Sequence, residues 1–168
     1  MKNKIAGLYF FILAVAIFSH FAVSAQAGAS PDRKAFYAAL AGKDLAKLDE
    51  QLAIIKAGNS DNKEGYEGAI LMRKAGLISG AAKKLKTFKA GKALLEAAIA
   101  KNSTNAELRF LRLLIQENAP DIVKYKGDTA KDREVIIQSY KNLPAALQSA
   151  IVAYSKKSNI LKPGDLNQ

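Results

Sequence analysis

The chain has no cysteine and no tryptophan, a single histidine, and four prolines in 168 residues. Each shortage removes a class of structure or chemistry. Without thiols there is no disulfide framework and no cysteine nucleophile. The one histidine, His20, lies in an apolar N-terminal run, so any processing that removes the run leaves neither imidazole nor thiol. Ser-His-Asp triads, Cys-His pairs, thiolate or imidazole zinc sites and histidine proton shuttles are then excluded. β-Branched residues are also scarce. From Ala27 onward there are three valines (Val123, Val135, Val152) and three threonines (Thr87, Thr104, Thr129) against 25 alanines. Strands favour β-branched residues and helices favour alanine, leucine and lysine, and no Asn-Gly or Asp-Gly hairpin signal occurs. The expected fold is all-α.

What is present fits one domain. Apolar residues make up 49% of the chain, too many for wholesale disorder, and 26 basic side chains stand against 15 acidic ones. Lys2 and Lys4 precede an apolar run from Ile5 to Phe18, and Val23-Ser24-Ala25 then supplies the small residues that a signal peptidase requires. Residues 1–25 therefore read as a signal peptide cleaved after Ala25, with Ala27 as a second frame, and the protein is expected to be exported, periplasmic or secreted. A membrane anchor is the alternative. Ile5 to Val23 approaches the roughly 20 residues of a bilayer span, but Ser19 and His20 interrupt it. No cysteine follows the run to carry a lipid.

Residues 26–168 read as about seven short helices packed as hairpins. Ser30-Pro31 is placed as N-cap and first helical residue of a helix that carries Phe36, Tyr37 and Leu40 to Gly42. Leu45, Leu48, Leu52 and Ile55 follow at helical spacing to Gly58, and Asp61 or Asn62 caps a third helix through Tyr66, Ile70 and Leu77. From Lys83 to Lys101, rotation by about 100° per residue separates Leu94, Ala98, Leu95, Phe88 and Ile99 from Lys92, Glu96, Lys89 and Lys86, with Leu85 falling among the charges. Thr104 or Asn105 caps a helix that is apolar around most of its circumference, from Leu108 to Ile115, which places it at the centre of the core. Asp128 or Thr129 and then Pro144 open the last two helices, and a short polar tail is expected at about 159–168.

Leu94 to Glu107, L-L-E-A-A-I-A-K-N-S-T-N-A-E, resembles the second helix and exit turn of a tetratricopeptide repeat, with Gly91, Leu95 and Ala98 at its small, large and alanine positions. Ser103 replaces the turn proline, Ala75 and Ala82 occupy the aromatic positions of the first helix, and no copy follows at a 34-residue period. Arg109-Phe110-Leu111-Arg112, Ile115-Gln116 and Asn142-Leu143-Pro144 also resemble a family of uncharacterised exported bacterial proteins, which implies export and helical structure and carries no activity.

Three constellations bear on function. Arg73, Lys74, Lys83, Lys84, Lys86, Lys89 and Lys92 occur with no acidic residue from Gly68 to Leu95. The segment reads either as a site for an anionic partner or as a solvated face. Nucleic acid is disfavoured because no aromatic residue is interleaved with these lysines on the wet side. Arg109, Arg112 and Gln116 form a polar stripe at i, i+3 and i+7. They either clamp a ligand carboxylate or phosphate, or pair with an acid on a neighbouring helix. Glu64 and Glu67 share a helix face, as a carboxylate hydrolase would need, but lack the apolar surroundings that raise a general acid. Asp132 and Glu134 read as exposed. Asn59, Asp61 and Lys63 imitate a calcium loop, except that a lysine holds a ligand position and Glu64 stands in place of the glycine. Tyr37, Tyr66, Tyr140 and Tyr154 read as core tyrosines with outward hydroxyls.

The leading expectation is an exported, non-enzymatic helical module without metal or cofactor that presents a surface to a protein or peptide partner. The alternative is an envelope polyanion or membrane-surface binder working through Lys83, Lys84, Lys86, Lys89 and Lys92. An exposed groove with Arg109 and Arg112 favours the first and a lysine face the second, whereas a cleft holding both Glu64 and Glu67 is needed for a hydrolase.

Overall fold

The structure, a computed structural model, describes residues 31–167. The expected signal peptide at residues 1–25 lies outside them, as does Ser30. Seven α-helices occur among the described residues: α1 (Arg33–Ala41), α2 (Leu45–Ala57), α3 (Lys63–Ala75), α4 (Ala81–Lys101), α5 (Ala106–Asn118), α6 (Thr129–Ser139) and α7 (Ala145–Ser155). Short 3-10 turns follow α5, α6 and α7, and no strand is present among the described residues. The all-α expectation holds.

Local chemistry sets the helix starts. Asp32 caps α1, accepting from the Lys34 N–H, so α1 begins after Pro31 and not on it. Asp44 accepts from Ala46 and Lys47 at α2, and Asn105 from Glu107 and Leu108 at α5. Each satisfies donors that a helix start leaves without partners. Asn62 stands at the N-cap of α3, where its side-chain oxygen accepts from Asn105 and so ties two helix starts together.

Helix α5 runs through the middle of the molecule. Leu108, Phe110, Leu111, Leu113 and Ile115 are all buried in it. A chain of edge and tilted ring contacts crosses it: Tyr66 meets Phe36 at 5.1 Å, Phe36 meets Tyr37 at 5.2 Å, Tyr37 meets Phe110 at 5.5 Å, and Phe110 meets Tyr154 at 5.4 Å. Four helices, α3, α1, α5 and α7, are linked by those contacts. Such pairs contribute about 0.5–1.5 kcal/mol each beyond the area they bury.

The most extensive helix pair is α3 with α4. Two glycines let the backbones touch. A Cβ on Gly68 would stand 2.6 Å from the Gly91 carbonyl oxygen and 2.7 Å from the Leu95 nitrogen, and one on Gly91 would stand 2.6 Å from the Gly68 oxygen. Gly80, at φ 87, supplies the positive-φ residue that turns the chain into α4. That helix is anchored only over its second half. Phe88, Gly91, Leu95, Ala98 and Ile99 are buried, whereas Ala81 to Lys86 are exposed.

The segment expected as a polar tail is packed instead. Leu161 and Leu166 enter the core, and Arg133 of α6 bonds Asp165 through two nitrogens. Glu117 of α5 organises the approach to it, accepting from the Tyr154 hydroxyl, the Ser158 hydroxyl at 2.6 Å and the Asn159 N–H. Two leucines spaced five apart in a polar stretch carry no helical or strand period, so periodicity does not detect them.

Candidate functional site

Arg109, Arg112 and Gln116 do share one face of α5, but they face inward: their residues are 4%, 4% and 1% exposed. Asp132 of α6, read from sequence as exposed, is 0% exposed and receives both arginines. Arg112 Nε donates to its Oδ2 at 2.7 Å and Nη2 to its Oδ1 at 2.7 Å, while Arg109 Nη1 reaches the same Oδ1 at 3.0 Å. Arg109 also donates twice to the Ser103 carbonyl. Arg112 Nη1 donates to Glu96 Oε2 at 2.8 Å, and the other oxygen of Glu96 accepts from the Tyr125 hydroxyl. Burial opposes the charge of Arg112, yet the Asp132 bonds outweigh it and hold the guanidinium above its ordinary value. Burial first, and then Glu96, push Tyr125 up. Two cations and their acids thus neutralise each other inside the protein, so a ligand clamp at Arg109 and Arg112 is corrected to internal pairing. Gln116 Oε1 is buried without a hydrogen bond, and the residue lines a cavity of about 350 Å³ with Glu117, Lys126, Thr129, Asn159 and Ile160.

A second internal cluster joins α1 to α5. Glu107 accepts from Arg33 Nε at 2.9 Å, Arg33 Nη2 at 2.9 Å and the Tyr37 hydroxyl at 3.1 Å. Burial, followed by the Glu107 charge, raises both Tyr37 and Tyr66 well above the ordinary phenol range. Tyr66 is fully buried and Tyr37 bonds a buried carboxylate, which corrects the outward hydroxyls expected of them.

Glu64 and Glu67 are drawn apart by neighbours. Glu64 pairs with Lys101 at the end of α4 at 2.6 Å, and Glu67 pairs with Lys56 of α2 at 3.3 Å. Lys63 Nζ donates to the Lys56 carbonyl. No group of acidic side chains among the described residues could hold a metal ion.

The lysine segment has the opposite character. Lys83, Lys84, Lys86 and Lys89 are exposed, and none has an acidic partner among the described residues. Lys92 is half-buried and holds its ammonium 4.9 Å from the centre of the Tyr125 ring, a cation–π contact that joins this face to the buried network. Lys74 pairs with Asp49, and Arg73 donates to the Gly42 carbonyl, so neither belongs to the unpaired set. The arrangement works against the helix that carries it. Three lysines fall in the first two turns of α4, no acid lies in its first turn, and Gly80 offers no side-chain cap. Cations near a helix N-terminus oppose its dipole by about 0.3–1 kcal/mol each. An anion placed there would remove that opposition.

The chain matches no protein-family model, no curated protein and no solved structure. Among the described residues no helix is long and apolar enough to cross a membrane.

Proposed function

We propose that this protein is an exported helical module that binds an envelope polyanion or an anionic membrane surface through Lys83, Lys84, Lys86 and Lys89. The observation that carries the reading is four exposed lysines on one half-helix without an acidic partner, beside arginines that are fully partnered. A basic face inside a stretch with no acidic residue from Gly68 to Leu95 would concentrate anionic oxygens by field alone, with lysines acting as point charges and not as bidentate forks. Near an anionic surface each such lysine contributes about 1 kcal/mol.

A peptide groove lined by Arg109 and Arg112 loses its support because both side chains are spent on Asp132. The helical-hairpin likeness of Leu94 to Glu107 remains compatible with a scaffold whose partner is the polyanion. Export is part of the proposal and rests on Lys2, Lys4, the apolar run and the small residues at Val23-Ser24-Ala25.

The test is retention on dextran sulfate and co-sedimentation with phosphatidylglycerol vesicles across a salt series. Binding should weaken steadily as screening rises, and it should be lost when Lys83, Lys86 and Lys89 are changed to glutamate. Binding that survives the triple reversal would overturn the reading.

A further inference from the structure

The geometry points to the surface of an anionic lipid bilayer as the occupant of the lysine face, entered by two exposed apolar side chains, Leu85 and Ile122. This inference rests on the polyanion reading and narrows it. Among the described residues the exposed large apolar side chains are Ile54, Leu85 and Ile122, and the last two each stand three residues before a member of one ring contact. Leu85 stands one helical turn before Phe88, and Ile122 stands three residues before Tyr125. The Phe88 and Tyr125 rings meet edge to face at 5.8 Å. Three residues of chain reach about 11 Å at most, so the Leu85 and Ile122 backbones each lie within that reach of one residue of the pair.

The two side chains are held outward. Leu85 lies in line with Lys89 and Lys92 at i, i+4 and i+7, on the wet side of α4. Ile122 is 87% exposed, in the 3-10 turn Asp121–Val123 that follows α5. That turn closes with the Lys124 N–H donating to the Asp121 carbonyl, and Lys124 sits at φ 47, a conformation a non-glycine residue adopts at a cost. Tyr125, buried immediately afterwards, fixes the end of the turn. An isoleucine presented at the tip of a pinned turn, with Lys124 exposed on one side and the Asp121 carboxylate on the other matched by Lys126 at 2.6 Å, is an anchor geometry.

Charge alone does not separate a bilayer from a soluble polyanion, since both offer anionic oxygens. The apolar side chains do. A sulfated glycan or a polyphosphate presents nothing for a leucine set among lysines, whereas the boundary of headgroups and acyl chains accepts apolar side chains while lysine stems reach back to the phosphates.

Two experiments on the full protein test the inference. The double variant Leu85→Ser with Ile122→Ser should bind phosphatidylglycerol vesicles about tenfold more weakly, or worse, while its retention on dextran sulfate stays the same. Circular dichroism should show an unchanged fold, because both positions are exposed. Independently, the absence of tryptophan makes Leu85→Trp a single-site reporter. Its emission should shift to the blue on adding phosphatidylglycerol vesicles and stay fixed with phosphatidylcholine vesicles or with dextran sulfate. Unchanged vesicle binding by the double serine variant, an equal loss on both supports, or no blue shift would overturn the bilayer inference and leave the polyanion reading in place. No binding of the native chain to vesicles or to dextran sulfate would overturn both.

Discussion

Arg109 and Arg112 carry the same formal charge as Lys86 and Lys89, yet the arginines lie inside the fold and the lysines face water. The difference follows from neighbours and from chemistry. The arginines sit on a helix that is buried around most of its circumference, so they are desolvated and must find an acid. A guanidinium can be held by two or more directed bonds at once, which Asp132, Glu96 and the Ser103 carbonyl provide. The lysines occupy the half of α4 that packs through Phe88 alone, and an ammonium on a flexible stem keeps its water there. A cation that is internally matched holds helices together; one left unmatched is available to an outside anion. The Lys92 ammonium over the Tyr125 ring is the place where the two regions meet.

The buried side of this comparison is broken most severely at Asp132. Asp132→Ala leaves two buried guanidiniums short of their acid and should cost about 3–5 kcal/mol in urea denaturation. Changing Asp132 to leucine together with Arg109 and Arg112 to methionine should recover most of that loss, because an apolar core replaces a desolvated ion cluster. If the single change were silent, the network would not be structural. The seat of α4 on α3, which holds the lysine-bearing helix in place, is probed by Gly91→Ala. A methyl there meets the Gly68 carbonyl oxygen and should cost about 1–3 kcal/mol, whereas the serine change at the exposed Leu85 should stay within about 0.5 kcal/mol. A smaller effect is expected at Glu117. Burial acts to raise its carboxyl, but the bonds from Ser158, Tyr154 and Asn159 outweigh burial and hold it below the ordinary carboxylate range. A folded value below the unfolded one gives stability that is present above the ordinary carboxylate range and lost as pH falls through the held-down value. Glu117→Gln should therefore lower Tm at neutral pH and shrink the Tm drop on acidification, as followed by circular dichroism.

Legibility in the sequence tracked the same division. Helix count, helix order, the central place of α5 and the two-faced character of α4 all follow from 3.6-residue periodicity, alanine content and cap residues. Lys83, Lys86 and Lys89 emerge exposed on the side a helical wheel places away from Phe88 and Leu95, whereas Lys84 stands one turn before Phe88 on its own face and is exposed because the first turns of α4 lie outside the packing. The partner of the arginines was not legible, because Asp132 lies 20 residues from Arg112 and looks, locally, like any surface acid on a polar helix. Only the docking of α6 on α5 buries it. Leu161 and Leu166 escaped notice for the related reason that an irregular segment has no period to betray its inner face. Leu85 is legible in the sequence as an apolar residue among charges, whereas Ile122 is related to it only through the packing of Tyr125 on Phe88.

The lysine half of α4 is proposed to bind anions, and the arginine stripe of α5 is not. The most direct measurement is co-sedimentation with phosphatidylglycerol vesicles at low salt, comparing the native chain with the Lys83→Glu, Lys86→Glu, Lys89→Glu variant and checking both by thermal melting. The account predicts that the variant keeps its Tm within a few degrees and no longer sediments with the vesicles. A variant that melts as the native chain does and still sediments would contradict it.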